Sequence, residues 1–470
     1  MVAEHGAEVL VASNRGPVSY ALADDGTLTA KRGGGGLVSG LSAIGPEAGA
    51  VWVCAALGDA DRRAAGGGRR LAAEDTGGQA VRMLDIDATV FHNAYNGVAN
   101  SVLWFVHHML YQTPLEPSFD AEFRSQWASY RSYNAAFADA LAEEAARGAA
   151  VLVQDYHLTL VPGMLRERRP DLRIGHFSHT PWAPPEYFRL LPDDVAEQVL
   201  RGMLGADRLG FLTSRWAQAF ARCCEELLPG GVGSTELAVY GLGADAEFLR
   251  ERSHRADVAE RMAALREEIG GADRRVIVRV DRTELSKNIV RGLQAYARLL
   301  RQHPSWRERV VHLAFAYPSR QDLAVYRDYT AEVRRLADAI NDEFGTPGWR
   351  PVILHVKDDF ARSLAAYRLA DVALVNPIRD GMNLVAKEIP VVSDDGCALV
   401  LSREAGAAAE LGEDALLINP YDIESTATAL HEALVMEPHE RAERTKRLAA
   451  AATALPPQAW FTSQLHALRA

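Results

Sequence analysis

The chain has 470 residues, 48% of them hydrophobic and 24% charged, with a formal net charge of −11. One hydrophobic core stops growing near about 250–300 residues, so two domains are expected. The negative balance excludes a general binder of nucleic acid or of an anionic membrane surface, and any anionic ligand must be held by a local basic cluster.

Along the chain, EVLVA (8–12) reads as the first strand and is followed by Ser13-Asn14-Arg15. KRGGGGLVSG (31–40) offers glycines whose backbone can approach a ligand closely, and its continuation LVSGL predicts an ordered loop running into a helix. AAGGGRR, with Gly66 to Gly68, reads as a surface loop. Residues 121–147 are predicted helical because Trp127, Tyr130, Tyr133, Phe137 and Leu141 recur at three- and four-residue spacing. VLVQDY (151–156), LRIGHFSH (172–179) and RLGFLT (208–213) read as further strands.

The composition breaks near 230–245, at LPGGVGS, which places domains at 1–240 and 241–455, with a helix at about 456–470 expected to pack back on the first. The second set of strands is VIVRVD (276–281), VVHLAFAY (310–317), PVILHV (351–356), VALVN (372–376), ALVLS (398–402) and ALLIN (415–419). Most of these runs are continuous rather than alternating, as parallel strands buried on both faces require. The fold class expected is therefore α/β, with two Rossmann-like doubly wound domains facing across a cleft and one ligand per side. Four cysteines (Cys54, Cys223, Cys224, Cys397) without CxxC spacing fit reduced thiols in a cytoplasmic protein. No apolar run reaches the ~18 residues a membrane span needs.

In open parallel sheets ligands bind beyond the carboxyl ends of the strands. The polar residues there are Ser13, Asn14 and Arg15; Asp155, His157 and His179; Asp281 and Arg282; Ser319 and Arg320; Arg379 and Asp380. In RDGMNLVAKE (379–388), Gly381, Met382, Asn383 and Leu384 are expected to form the first turn of a helix, where free N–H groups and the dipole suit a phosphate. Asp380 would face a neutral hydroxylated group such as a sugar, and Glu388, about two turns in, a ribose diol. Plain helix capping by Asp380 is the alternative. In DRTELSKN (281–288), Arg282 and Lys287 follow a strand in one loop and can converge on a diphosphate. No DxD-like metal site is found, and the adjacent His107 and His108 point differently. GLGADA (241–246) is a lone GxGxxA after LAVY, the one feature that favours a nicotinamide-dependent oxidoreductase.

SNRxP near the start, GGLVSGL, YNxxANxxLW (95–104), DYHL (155–158), HTPW (179–182), DRxxxxK, PSR (318–320), RDGMNLVAKE and NPYD (419–422) occur in an order that resembles the trehalose-6-phosphate synthases, retaining glycosyltransferases of the GT-B fold and family 20. The resemblance implies glucosyl transfer from a nucleotide-diphosphate glucose to glucose 6-phosphate, giving α,α-trehalose 6-phosphate, with no cofactor and no metal. By position it implies a catalytic set of Arg282, Lys287 and Asp380. Donor binding falls to Gly35, Gly36, His179, Gly381, Met382, Asn383, Leu384 and Glu388, and acceptor binding to Arg15, Tyr95, Trp104, Asp155 and Arg320. A homo-oligomer is compatible with the sequence; nucleic-acid and membrane partners are not expected.

Asn288 and Gly16 depart from the family's usual glycine and bulkier residue. FHN (91–93), PSF (117–119) and HTPW followed by EYFRLLP are also similar to the guanine-nucleotide-using validoxylamine phosphate synthases, but the intact Asp380 and Asn383 favour glucosyl over pseudo-glycosyl transfer. That likeness and the Ala- and Arg-rich composition lead to GDP-glucose being expected slightly ahead of the family's usual UDP-glucose.

Overall fold

A computed structural model describes residues 6–23, 25–32, 50–66, 70–271 and 273–470. The chain divides into two compact units, one formed by the residues up to Leu242 together with Pro457–Ala470, the other by Gly243–Pro456. The loop glycines Gly35 and Gly36, the GGLVSGL segment around them, and Gly67 and Gly68 lie outside the described residues.

The strands of the first unit are β1 (Ala7–Ser13), β2 (Val18–Leu22), β3 (Leu28–Arg32), β4 (Val51–Ala55), β5 (Ala80–Leu84), β6 (Ala145–Gln154), β7 (Arg173–Ser178), β8 (Arg208–Phe211) and β9 (Glu236–Val239). Seven of them form a parallel sheet in the order β5-β4-β1-β6-β7-β8-β9, with β2 and β3 as a separate antiparallel hairpin. The chain runs outward from β1 to β5 and then re-enters at β6, on the other side of β1. The β1/β6 junction is thus the topological switch point, where carboxyl ends diverge and leave room for a ligand.

The structure differs from the sequence reading in three places. The helix predicted over 121–147 stops at Glu144, because Gly148 sits at φ 73° and Ala145 already begins β6. Its aromatic stripe is buried as the spacing requires, with Trp127, Tyr130, Tyr133, Phe137 and Leu141 all inside. The short strands β4 and β5 and the β2–β3 hairpin were not among the predicted strands; the hairpin turns at Asp25-Gly26, where the Asp25 carboxylate accepts from Thr27 N–H at 2.9 Å and Gly26 takes φ 83°.

The second unit carries β10 (Arg275–Arg282), β11 (Val310–Tyr317), β12 (Val352–His355), β13 (Val372–Val375), β14 (Ala398–Ser402) and β15 (Leu416–Ile418). Its parallel sheet runs β12-β11-β10-β13-β14-β15, so its switch point lies between β10 and β13. All eight positions of β11 are buried, as a strand covered on both faces must be. The α/β class with two parallel-sheet domains is thereby realised. Helix Pro457–Arg469 packs on the first unit: the Trp460 ring lies 4.8 Å from Phe177 and 5.5 Å from His179. The four cysteines are separate buried thiols, and among the described residues no helix is long and apolar enough to cross a membrane.

Candidate functional site

In the first unit the polar residues gather at the carboxyl ends around the β1/β6 switch. Beyond β1, Ser13 Oγ accepts from Trp52 Nε1 at 2.8 Å and donates to the Arg15 carbonyl at 2.7 Å, while Tyr133 Oη donates to Asn14 Oδ1 at 2.6 Å. These bonds fix the backbone that presents Arg15, whose side chain is exposed. Gly16 has no room for the bulkier residue usual in the family, because a Cβ there would strike the Cys54 thiol.

Beyond β6, Asp155 is held at φ 71°, a strained backbone position of the kind that clusters at functional sites. Its Oδ1 accepts from His179 N–H at 3.2 Å. The His179 ring meets Gln154, Nε2 to Oε1 at 3.0 Å, and burial pushes its pKa down to about 3, so it is neutral near pH 7. Residues 93–103, most of the YNxxANxxLW motif, form a π-helix, a geometry frequent at functional sites. Tyr95 on this helix stacks on His157 at 5.6 Å, and Trp104, just past it, lies against Tyr156 at 5.6 Å. Tyr95 and Trp104 therefore both pack on the turn that follows Asp155, which brings Tyr95, Trp104, Asp155 and His179 together. Trp104 is largely buried and stacks on His108 at 3.8 Å. His107 and His108 are also buried against aromatic rings, at 4.3 Å from Trp182 and 3.8 Å from Trp104.

In the second unit, Lys287 follows β10 and Asp380 follows β13, and the switch point joins them: Lys287 Nζ lies 2.6 Å from Asp380 Oδ2. Asn383 Nδ2 donates to the same oxygen at 3.1 Å. Burial disfavours the Lys287 charge, but the carboxylates of Asp380, Asp281 and Glu284 outweigh it and hold the pKa above the ordinary lysine value. Asn288 takes the left-handed conformation, φ 57°, that the family's glycine would supply, and its amide bridges the carbonyls of Asn376 at 3.0 Å and Pro420 at 2.8 Å.

RDGMNLVAKE differs from its expected geometry. The helix begins at Val385 and runs only to Val392, so Gly381, Met382, Asn383 and Leu384 precede it and do not form its first turn. Asn383, at φ 80°, turns the chain and caps the helix through Oδ1, which accepts from Ala386 N–H at 3.1 Å. Asp380 is not the cap. Glu388 lies within the first turn, not two turns in; its carboxylate accepts from Tyr367 Oη at 3.4 Å, and burial raises its pKa to about 7. The turn at 380–382 is held by residues 404–407: Asp380 N–H donates to the Glu404 carbonyl at 3.2 Å, Gly406 N–H to Asp380 at 3.0 Å and Ala407 N–H to Met382 at 2.8 Å.

Arg282 and Arg320 both lie in this second unit. Arg320 follows β11, whereas Arg15, Tyr95, Trp104 and Asp155 lie in the first unit. Sequence reading also passed over Glu284, a fully buried acid beside both arginines; its signal was an acid flanked by Arg282 and Lys287 directly after a buried strand. GLGADA shows no phosphate loop. Gly243 N–H donates to the Leu455 carbonyl at 2.7 Å, and Asp245, whose carboxylate accepts from Phe248 N–H at 3.1 Å, already occupies the cap of the following helix. That place would have to be open for a dinucleotide phosphate.

Comparison with known proteins agrees with this geometry. The model of glycosyltransferase family 20 matches residues 7–470. An α,α-trehalose-phosphate synthase (UDP-forming) of Schizosaccharomyces pombe is 34% identical, covering 95% of this chain and 87% of its own length. The enzyme of that name from Botryotinia fuckeliana is 34% identical, covering 94% and 84%. Among solved structures, a trehalose-6-phosphate protein from E. coli bound with UDP-2-fluoro glucose superposes with a TM-score of 0.85 at 27% identity, covering 98% of each chain. A UDP-forming synthase from Burkholderia xenovorans in complex with glucose-6-phosphate gives 0.84 at 26%, covering 98% of this chain and 100% of that one. These relatives are UDP-forming and lend no support to a guanine nucleotide. With a family model matching almost end to end and two parallel-sheet units carrying the motif residues at their switch points, the chain is a glycosyltransferase and belongs to family 20.

Proposed function

We propose that the protein transfers glucose from UDP-glucose to glucose 6-phosphate, forming α,α-trehalose 6-phosphate and UDP with retention of configuration. The observation that carries this reading is the Lys287–Asp380–Asn383 cluster at the β10/β13 switch, in a chain 34% identical to UDP-forming synthases. UDP-glucose replaces the GDP-glucose expectation because composition reflects a genome rather than a base pocket, and the named relatives are UDP-forming.

In the reaction the bond from the donor's anomeric carbon to the diphosphate oxygen breaks, and a bond to the anomeric oxygen of glucose 6-phosphate forms on the same face. The acceptor's hydroxyl proton passes to the departing phosphate oxygen. The chain's task is to position both sugars and to stabilise the charge on the leaving diphosphate. Arg282 and Lys287 take that charge, so no metal or other cofactor is part of the reading. Asp380 orients the donor glucose, and Gly381, Met382, Asn383 and Leu384 offer backbone to the phosphates. Glu388 accepts from the ribose, Gly35 and Gly36 cover the diphosphate, and neutral His179 lines the donor sugar. Arg15, Tyr95, Trp104, Asp155 and Arg320 serve the acceptor. A cytoplasmic location belongs to the same proposal, supported by four separate buried thiols.

The test is UDP release from UDP-glucose with and without glucose 6-phosphate, with the product's anomeric configuration read by NMR. Release that requires the acceptor and an α,α product support the reading; acceptor-independent release or another linkage overturns it. GDP- and ADP-glucose in parallel should be at least tenfold poorer, which corresponds to about 1.4 kcal/mol.

A further inference from the structure

Glu284 is fully buried, and its two carboxylate oxygens serve two different arginines. Oε1 lies 3.2 Å from Arg282 Nε and accepts from Ser319 Oγ at 3.2 Å; Oε2 lies 3.7 Å from Arg320 Nη1. The acid sits where the ends of β10 and β11 are laced together: Thr283 donates to the Tyr317 carbonyl from its N–H at 2.7 Å and from Oγ1 at 3.2 Å. The Glu284 carbonyl in turn accepts from Lys287 N–H at 2.9 Å.

The arginines differ in freedom. Arg282 has 57% of its side chain exposed, whereas Arg320 has 9%, takes a left-handed φ of 48° and donates from Nη1 to Tyr326 Oη at 2.9 Å. A buried carboxylate is retained where charged partners compensate it, and here the partners are the two cations assigned to different substrates.

Resting on the proposed function, we infer that Glu284 is a positioning residue that couples the two substrates, linking the arginine of the donor diphosphate to the arginine of the acceptor phosphate. When the acceptor phosphate fixes Arg320, Glu284 is fixed through Oε2, and through Oε1 it holds Arg282 in the orientation the donor needs. Binding of either substrate thereby prepares the site for the other, and linkage makes the effect reciprocal.

The test measures UDP affinity by calorimetry with and without saturating glucose 6-phosphate, alongside the KM of each substrate, in the wild type and in Glu284→Gln. Glucose 6-phosphate should tighten UDP binding at least about fivefold in the wild type, within the usual span of such couplings. In Glu284→Gln the change should fall below twofold, with both KM values raised. A role confined to stability would lower the melting temperature and leave the coupling intact. Should Glu284→Gln fail to fold, Glu284→Asp decides: it keeps the charge but draws it back by one methylene, and the coupling must weaken there too. A folded variant with undiminished coupling, or a wild type that turns over yet shows none, overturns this inference alone. A wild type inactive with UDP-glucose and glucose 6-phosphate overturns the function and this inference with it.

Discussion

In the proposed function Lys287 meets the charge on the leaving diphosphate. Its ammonium already sits on Asp380 at 2.6 Å with its charge secured, so it is poised to meet a diphosphate without reorganising. Lys287→Ala should lower kcat about 100-fold or more, the size of losing one transition-state charge partner, with circular dichroism unchanged; a folded variant of near-normal kcat would remove the role. Glu388 gives a pH signature. Burial raises its pKa from 4.5 to about 7, so between those values the folded protein keeps a proton that the unfolded chain has lost. Stability from this group is therefore lost as pH rises through that window, and Glu388→Gln should gain on the wild type between pH 5 and pH 8 in denaturant titrations. Ribose hydroxyls donating to the carboxylate favour its ionised form. UDP binding near pH 6.5 should then release a proton, seen as a dependence of calorimetric heat on buffer ionisation enthalpy; proton uptake or no exchange would count against the ribose contact.

Among elements, the turn at 380–383 depends on the segment that follows β14. A Cβ on Gly406 would strike the Gly381 carbonyl oxygen, so only glycine lets the two strands of chain lie this close. Gly406→Ala should push the turn aside and raise the KM for UDP-glucose about tenfold or more, since displacements near 1 Å can cost 10²-fold, while the KM for glucose 6-phosphate moves less. Equal shifts in both would point to general unfolding. The same scale shows what the sequence disclosed. The continuous runs that became β10, β11, β13 and β14 were legible because burial on both faces leaves no polar alternation to confuse the pattern. VWVCA, an equally continuous run, was legible but passed over, and AVRML was obscured by Arg82 at its half-buried centre. Arg15, Asp155, His179, Arg282, Arg320 and Asp380 were found because strand ends are where parallel sheets bind ligands, whereas Tyr95 and Trp104 came only from the family resemblance. Their local geometry was not legible: the pairing of Glu284 with Arg320 joins segments distant in sequence, and the Asn383 cap and the π-helix under Tyr95, though local, carry no pattern that periodicity detects.

For the molecule as a whole, helix Pro457–Arg469 returns to a unit whose other described residues all precede Gly243. Trp460 is buried there against Phe177, so Trp460→Ala should cost about 3–5 kcal/mol and lower the first unit's calorimetric transition by several degrees while leaving the second unit's in place. A matched fall in both transitions would mean that the helix does not belong to the first unit alone.

This arrangement sets an order of events during translation. The sheet that carries Arg15, Asp155 and His179 leaves the ribosome early, but the tryptophan that packs beside His179 follows only after the intervening Gly243–Pro456 unit has been made. At about 5–20 residues per second that interval lasts on the order of ten to forty seconds. The nascent first unit must persist through it with Phe177 uncovered, an aromatic surface of the kind chaperones hold, and a message truncated anywhere before residue 457 yields a protein whose His179 environment is never finished.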